Sequence, residues 1–140
     1  MTRWSYFPRR GNTTGSGKKY GNRKVATEDG TFDSVKEARR NAELQLLAAA
    51  GEITDLRRQV RYELIPAQRE PDTVGPRGGV HPGKVIEQAV YYVADYVYTD
   101  ADGQTVVEDV KGYRDGAAYK IFVLKRKMFL QKYGIRIREL

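Results

Sequence analysis

Cysteine is absent from this 140-residue chain, and histidine occurs once, as His81. The first absence excludes disulfides and thiolate metal sites, and the second excludes a histidine-rich zinc centre or any two-histidine motif. No stretch approaches the roughly 18 apolar residues of a membrane span, and residues 1–8 hold no extended apolar run of the kind a signal peptide needs. A soluble, cytoplasmic protein in a reducing compartment is expected, with no membrane partner.

Acidic residues are also missing from residues 1–24, where Arg3, Arg9, Arg10, Lys18, Lys19, Arg23 and Lys24 account for the whole formal net charge of +7. The remaining 116 residues balance at 18 bases against 18 acids. The leading segment is rich in Gly, Ser, Thr and Asn, with Trp4, Tyr6, Phe7 and Tyr20 interleaved. That composition suits a flexible basic arm laid along phosphates, with rings available for stacking, or else a solubilising leader. Of its cations, Arg9, Arg10, Lys18, Lys19, Arg23 and Lys24 are the candidate nucleic-acid contacts. A phosphate loop at residues 15–19 is rejected: Asn12 stands where the first glycine belongs, Lys19 replaces Ser or Thr, and no strand precedes it.

Residues 25–140 are long enough for a single domain with its own core. Phe32-Asp33-Ser34-Val35-Lys36-Glu37 opens a helix, with Ser34 as N-cap and Glu37 three residues on, a capping box. The helix is expected to run to about Ala50 and to stop at Gly51. Val35, Ala38, Ala42, Leu46 and Ala49 mark its buried face, widened by Leu44 and Leu47, with Glu37 beside that face. Residues 59–66 alternate as a half-buried strand ended by proline. Residues 67–84 consist of turn formers without a period and are expected as one long loop, in which His81 receives no role. Two further strands follow, at about residues 86–98 and 105–111. The tyrosines of the first sit where strand packing alone would put them. Ala118, Ile121, Phe122, Lys125, Met128, Phe129 and Tyr133 outline a second helix ended by Gly134, whose exposed side carries Lys120, a further candidate phosphate contact. A last strand covers residues 135–140, so the order reads α-β-β-β-α-β.

Two of these strands carry acids where valine and tyrosine otherwise dominate. Asp95 lies in Tyr91-Tyr92-Val93-Ala94-Asp95-Tyr96, and Asp109 in Val107-Glu108-Asp109-Val110-Lys111. Side chains alternate along a strand, so Asp109 and Lys111 share one face and Glu108 and Val110 the other. The Asp100-Ala101-Asp102-Gly103 turn pairs the two runs antiparallel and brings Asp95 toward Asp109. Burying acids is costly without a partner, and that partner is either Lys111 in a salt bridge or a divalent cation. Glu37 serves equally as a cap or as a third carboxylate.

The set of Glu37 on a helix, Asp95 and Asp109-Val110-Lys111 on the following strands, then helix and strand, resembles the core of the PD-(D/E)XK nuclease superfamily. Within it, the blocks at residues 20–23, 32–38, 51–56, 59–66, 94–96 and 107–112 resemble small phage and prophage proteins of unknown function. The resemblance covers roughly residues 20–140 and departs from the motif at Ala94, where a proline is usual. It implies an α/β, restriction-endonuclease-like αβββαβ core with a mixed sheet flanked by helices. It also implies Mg²⁺ or Mn²⁺ held by Asp95, Asp109, the Val110 carbonyl and Glu37, with Lys111 positioning the attacking water. The activity it implies is an endonuclease acting on DNA, branched DNA or Holliday junctions in phage recombination or replication inside a bacterial host, and it allows a homodimer. Two alternatives are a noncatalytic DNA-binding protein and a nuclease subunit active only with phage partners.

Overall fold

The computed structural model describes residues 23–140. Arg9, Arg10, Lys18 and Lys19 of the expected arm lie outside the described residues, whereas Arg23 and Lys24 are exposed just before the first strand. The chain then runs β1 (Val25–Thr27), β2 (Gly30–Phe32), α1 (Val35–Ala49), β3 (Thr54–Ile65), β4 (Gln68–Arg69), β5 (Thr73–Val74), β6 (Val80–His81), β7 (Val85–Glu87), β8 (Val90–Thr99), β9 (Thr105–Asp109), α2 (Gly116–Tyr133) and β10 (Ile137–Glu139). Among the described residues no helix is long and apolar enough to cross a membrane.

The elements α1, β3, β8, β9, α2 and β10 form an α/β unit around one mixed sheet of order β10-β9-β8-β3. The β3–β8 and β8–β9 pairs are antiparallel and β9–β10 is parallel. Local chemistry sets the joints. Asp100 Oδ1 accepts the N–H groups of Asp102 at 3.0 Å and Gln104 at 2.9 Å, closing the β8–β9 turn together with Gly103 at φ 76°. Asp115 caps α2, and Gly134 ends it in the left-handed region at φ 69°, where a side chain would be strained.

Each helix covers one face. Phe122 and Phe129 of α2 pack on Leu64, Tyr92, Ala94, Val97, Val107 and Ile137, with Phe129 edge-on to Tyr62 and Tyr92 at 4.9 and 5.4 Å between ring centres. Leu44 of α1 packs with Ile53, Tyr96, Tyr98 and Val106 on the other face. Glu108 is fully buried on the α1 side, where Arg40 reaches it with two N–H groups at 2.7 and 2.9 Å and the Tyr98 hydroxyl donates at 2.7 Å.

Three expectations are corrected. The buried side of α1 is made by Glu37, Asn41 and Leu44, while Val35 and Leu46 are 46% and 71% exposed. The helix is rotated because polar groups on that side find partners: Asn41 Nδ2 donates to Asp29 at 3.0 Å, and the Tyr96 hydroxyl donates to the Glu37 carbonyl at 2.9 Å. Ile121 of α2 is likewise exposed, at 57%. Residues 67–84 are no plain loop but most of a two-tiered ribbon, in which β4 pairs with β7 and β5 with β6. Strands of two or three residues are too short for an alternating pattern to register in the sequence.

Candidate active site

The β8–β9 ladder stops at the pair Tyr96–Glu108, one residue short of the two aspartates. There the next free donor on the β9 side, the Val110 N–H, goes to the Asp95 side chain (Oδ2, 2.7 Å). The chain after Asp109 is nonetheless fixed, because the Lys111 N–H donates to the Leu140 carbonyl at 2.9 Å and the Leu140 N–H to the Asp109 carbonyl at 3.0 Å. The opening so formed is a cleft of about 250 Å³ lined by Asp33, Ser34, Glu37, Val93, Asp95, Asp109, Val110, Lys111 and Gly112. Glu37, Asp95, Asp109 and Lys111, four positions spread over 75 residues, therefore face one space. Lys120, on the exposed side of α2, is not among the residues that line it.

The four side chains are held in place. Asp109 is buried, accepts from the Tyr92 hydroxyl at 3.0 Å through one oxygen and pairs with Lys111 Nζ at 2.6 Å through the other. The Lys111 ammonium also sits 3.6 Å above the centre of the Phe122 ring. Glu37 accepts from the Ser34-capped turn through the Asp33 N–H at 3.2 Å, so it is at once the helix cap and a wall of the cleft. Burial pushes the Asp95 carboxyl up to about 6; the Val110 N–H opposes the rise, and the nearby Asp109 and Glu37 add to it. Burial, with Asp109 beside it, also raises the Tyr92 hydroxyl, which therefore stays a hydrogen-bond donor.

A fifth residue completes the arrangement. Gln59 of β3 donates its amide to Asp95 Oδ1 at 3.2 Å and to Glu37 Oε1 at 3.4 Å, bridging two carboxylates. It does so from a left-handed backbone, φ 51°, in the middle of a strand. A non-glycine residue held there costs on the order of 1–3 kcal/mol and persists only where its surroundings over-determine it. Opposite Gln59 the strand β8 changes face: Tyr92 and Ala94 join the α2 core, whereas Tyr96 and Tyr98 join the α1 core. An unbroken strand would keep all four on one side, so both strands are distorted where the acids converge. Sequence reasoning assigned Gln59 no role, and its one signal was a glutamine at the polar start of an alternating run.

The donor set is rich in oxygen, the chemistry that hard divalent ions require, and its cations are Lys111 on Asp109 and Arg58 at 3.9 Å from Glu37. In the arrangement described, Lys111 occupies one Asp109 oxygen and the Gln59 amide lies between the other two acids; among the described residues no three or more His, Cys, Asp or Glu side chains enclose an ion-sized space. No curated protein and no solved structure matches this chain. A family model does match, over residues 17–138, which include every residue of the cleft. The chain thus belongs to the family described as "Protein of unknown function (DUF1064)".

Proposed function

We propose that this protein is a metal-dependent endodeoxyribonuclease of the PD-(D/E)XK type, hydrolysing phosphodiester bonds with Mg²⁺ or Mn²⁺. The observation that carries this reading is the gathering of Glu37, Asp95, Asp109 and Lys111 on one open cleft, with a carboxyl pushed up to about 6 by burial and by its acidic neighbours. Acids assembled at such cost, beside a lysine and an opening, mark a functional site more often than a structural one. Glu37, Asp95, Asp109 and the Val110 carbonyl would hold the cation. Once bound, it would lower the pKa of a coordinated water and neutralise charge on the phosphate.

The protein's own groups supply the rest. Lys111 has three donors on an ammonium that rests over the Phe122 ring, so on leaving Asp109 it can orient the attacking water or bind a phosphate oxygen. The Tyr92 hydroxyl holds the second Asp109 oxygen in place, and the Val110 N–H does the same for Asp95. In hydrolysis a water gives up a proton as its oxygen bonds to phosphorus, the P–O bond to one sugar breaks, and the departing alkoxide takes up a proton. Branched DNA or a Holliday junction in a phage-infected bacterial cytoplasm is the proposed substrate setting, with a homodimer where two strands are cut.

The competing reading is a noncatalytic DNA-binding protein in which the Asp109–Lys111 pair, already closed at 2.6 Å, is purely structural. Labelled four-way junction, flap, linear duplex and single strand, each incubated with Mg²⁺ or with EDTA, separate the two. Cleavage of at least one substrate in Mg²⁺ alone is expected. Silence on all four, also with phage-infected cell extract supplying partner subunits, would sink the enzyme reading. Asp109→Ala is expected to reduce cleavage by roughly a thousandfold or more while DNA affinity stays within about twofold.

A further inference from the structure

Among the described residues, the two-tiered ribbon is the one large feature that the proposed chemistry leaves unused. It grows directly out of β3 and β8, the strands that carry Gln59 and Asp95, and nearly every residue from 66 to 88 is exposed. Its order comes from within. The Glu70 N–H donates to the Lys84 carbonyl at 2.9 Å, and Asp72 Oδ1 accepts the Gly83 N–H at 3.0 Å. Gly83 is required for this closure, since a Cβ there would lie 1.7 Å from the Glu70 carbonyl oxygen. The tip, Gly75-Pro76-Arg77-Gly78-Gly79, is closed by the Gly75 N–H on Gly79 O at 2.8 Å and the Gly78 N–H on Gly75 O at 3.0 Å.

Charge along the ribbon is uneven. Over residues 66–89, Arg69, Arg77 and Lys84 balance Glu70, Asp72 and Glu87, but the stretch 73–84 around the tip holds Arg77, His81 and Lys84 and no acid. The side chains of Arg77 and Lys84 are exposed and have no hydrogen-bond or ion-pair partner among the described residues. A preformed two-stranded ribbon with a cationic tip has the width that a DNA groove accepts and a charge the phosphates attract. At about 3.3 Å per residue, the path along β8 and out along the ribbon carries the tip up to roughly 50 Å from Asp95. That is about one and a half turns of duplex.

We infer that residues 66–89 form an arm that grips a duplex flank of the substrate at up to about one and a half turns from the cleavage site, with Arg77 on a phosphate. The inference deepens the nuclease proposal by naming duplex DNA as what lies beside the cleft, and it is tested without cleavage. Fluorescence anisotropy in EDTA compares substrates with duplex flanks of 6 and 20 base pairs, using the full chain, Arg77→Glu, and a variant with Asn-Gly in place of residues 75–79. The Asn-Gly turn suits the Val74–Val80 pair that it would join.

The full chain is expected to bind the long flank at least tenfold more tightly than the short one. Both variants should lose most of that preference, and Arg77→Glu should reduce the salt slope by about one phosphate. Equal flank dependence in all three proteins would overturn the arm. A change of oligomeric state on sedimentation, with DNA binding intact, would assign the ribbon to a second copy instead. Flank dependence in EDTA without any cleavage in Mg²⁺ would keep the arm and discard the nuclease, while cleavage without flank dependence would do the reverse.

Discussion

At the scale of single residues, the site is a negotiation between one amide and three carboxylates. Gln59 stores backbone strain in order to place its Nε2 between Glu37 and Asp95. Gln59→Ala is expected to weaken Mn²⁺ binding by about tenfold, read by calorimetry, since partners of ligating carboxylates commonly matter by 10–100-fold. A purely structural glutamine would instead lower the melting temperature and leave the Mn²⁺ affinity of the folded protein unaltered. Asp95 makes a second prediction. Its carboxyl titrates near 6 in the folded chain against 3.8 for the free group, so between those values the folded state binds more protons than the unfolded one. Metal-free stability therefore falls as pH rises from about 4 to 6, the opposite of a salt-bridged aspartate. Asp95→Asn should flatten that slope and raise the metal-free melting temperature at pH 7 by a few degrees, the gain being held down by solvent screening of a half-buried group. A melting temperature lower than that of the native chain at pH 7 would refute it.

At the scale of elements, α1 is fastened to the sheet by polar contacts more than by a hydrophobic stripe. Arg40 delivers a two-point hydrogen bond to Glu108, which is 0% exposed, and the pairing holds the guanidinium firmly protonated. Removing one member of such a pair strands a buried charge, although Tyr98 and Arg138 still reach Glu108. Arg40→Ala is expected to cost about 3 kcal/mol in urea unfolding, and the double variant Arg40→Met with Glu108→Leu distinctly less. A double variant as unstable as the sum of its parts would show that the two side chains act independently. This fastening explains why the expected face of α1 was misplaced: the apolar residues Val35 and Leu46 read as core, yet solvated Leu46 is tolerable, whereas an unpartnered Glu108 is not. β3 begins five residues before the strand expected at 59–66 for a similar reason. Asp55, Arg57, Arg58 and Gln59 break its alternation, but as the first half of an edge strand they need only one paired side.

At the scale of the whole molecule, charge is divided between a basic leading segment and a balanced body. A chain lacking residues 1–22 loses Arg3, Arg9, Arg10, Lys18 and Lys19. Its DNA affinity should depend less steeply on salt, with the logarithmic slope reduced by up to about 4.5 if each cation meets one phosphate. An unchanged slope would mean that those cations touch no DNA.

The αβββαβ order of the core, the Ser34 start of the first helix, the Gly134 end of the second and the alternation that sets Asp109 and Lys111 apart from Glu108 were all legible in the sequence. Local propensity and strand parity decide all of these. The side of α1 that faces the sheet, the pairing within residues 68–87 and the reach of Gln59 to Glu37 and Asp95 came from the fold instead. Those depend on partners tens of residues apart and on a backbone distortion that pays no attention to hydrophobic period. A polar side chain is buried when a distant partner meets it, and no local pattern announces that meeting.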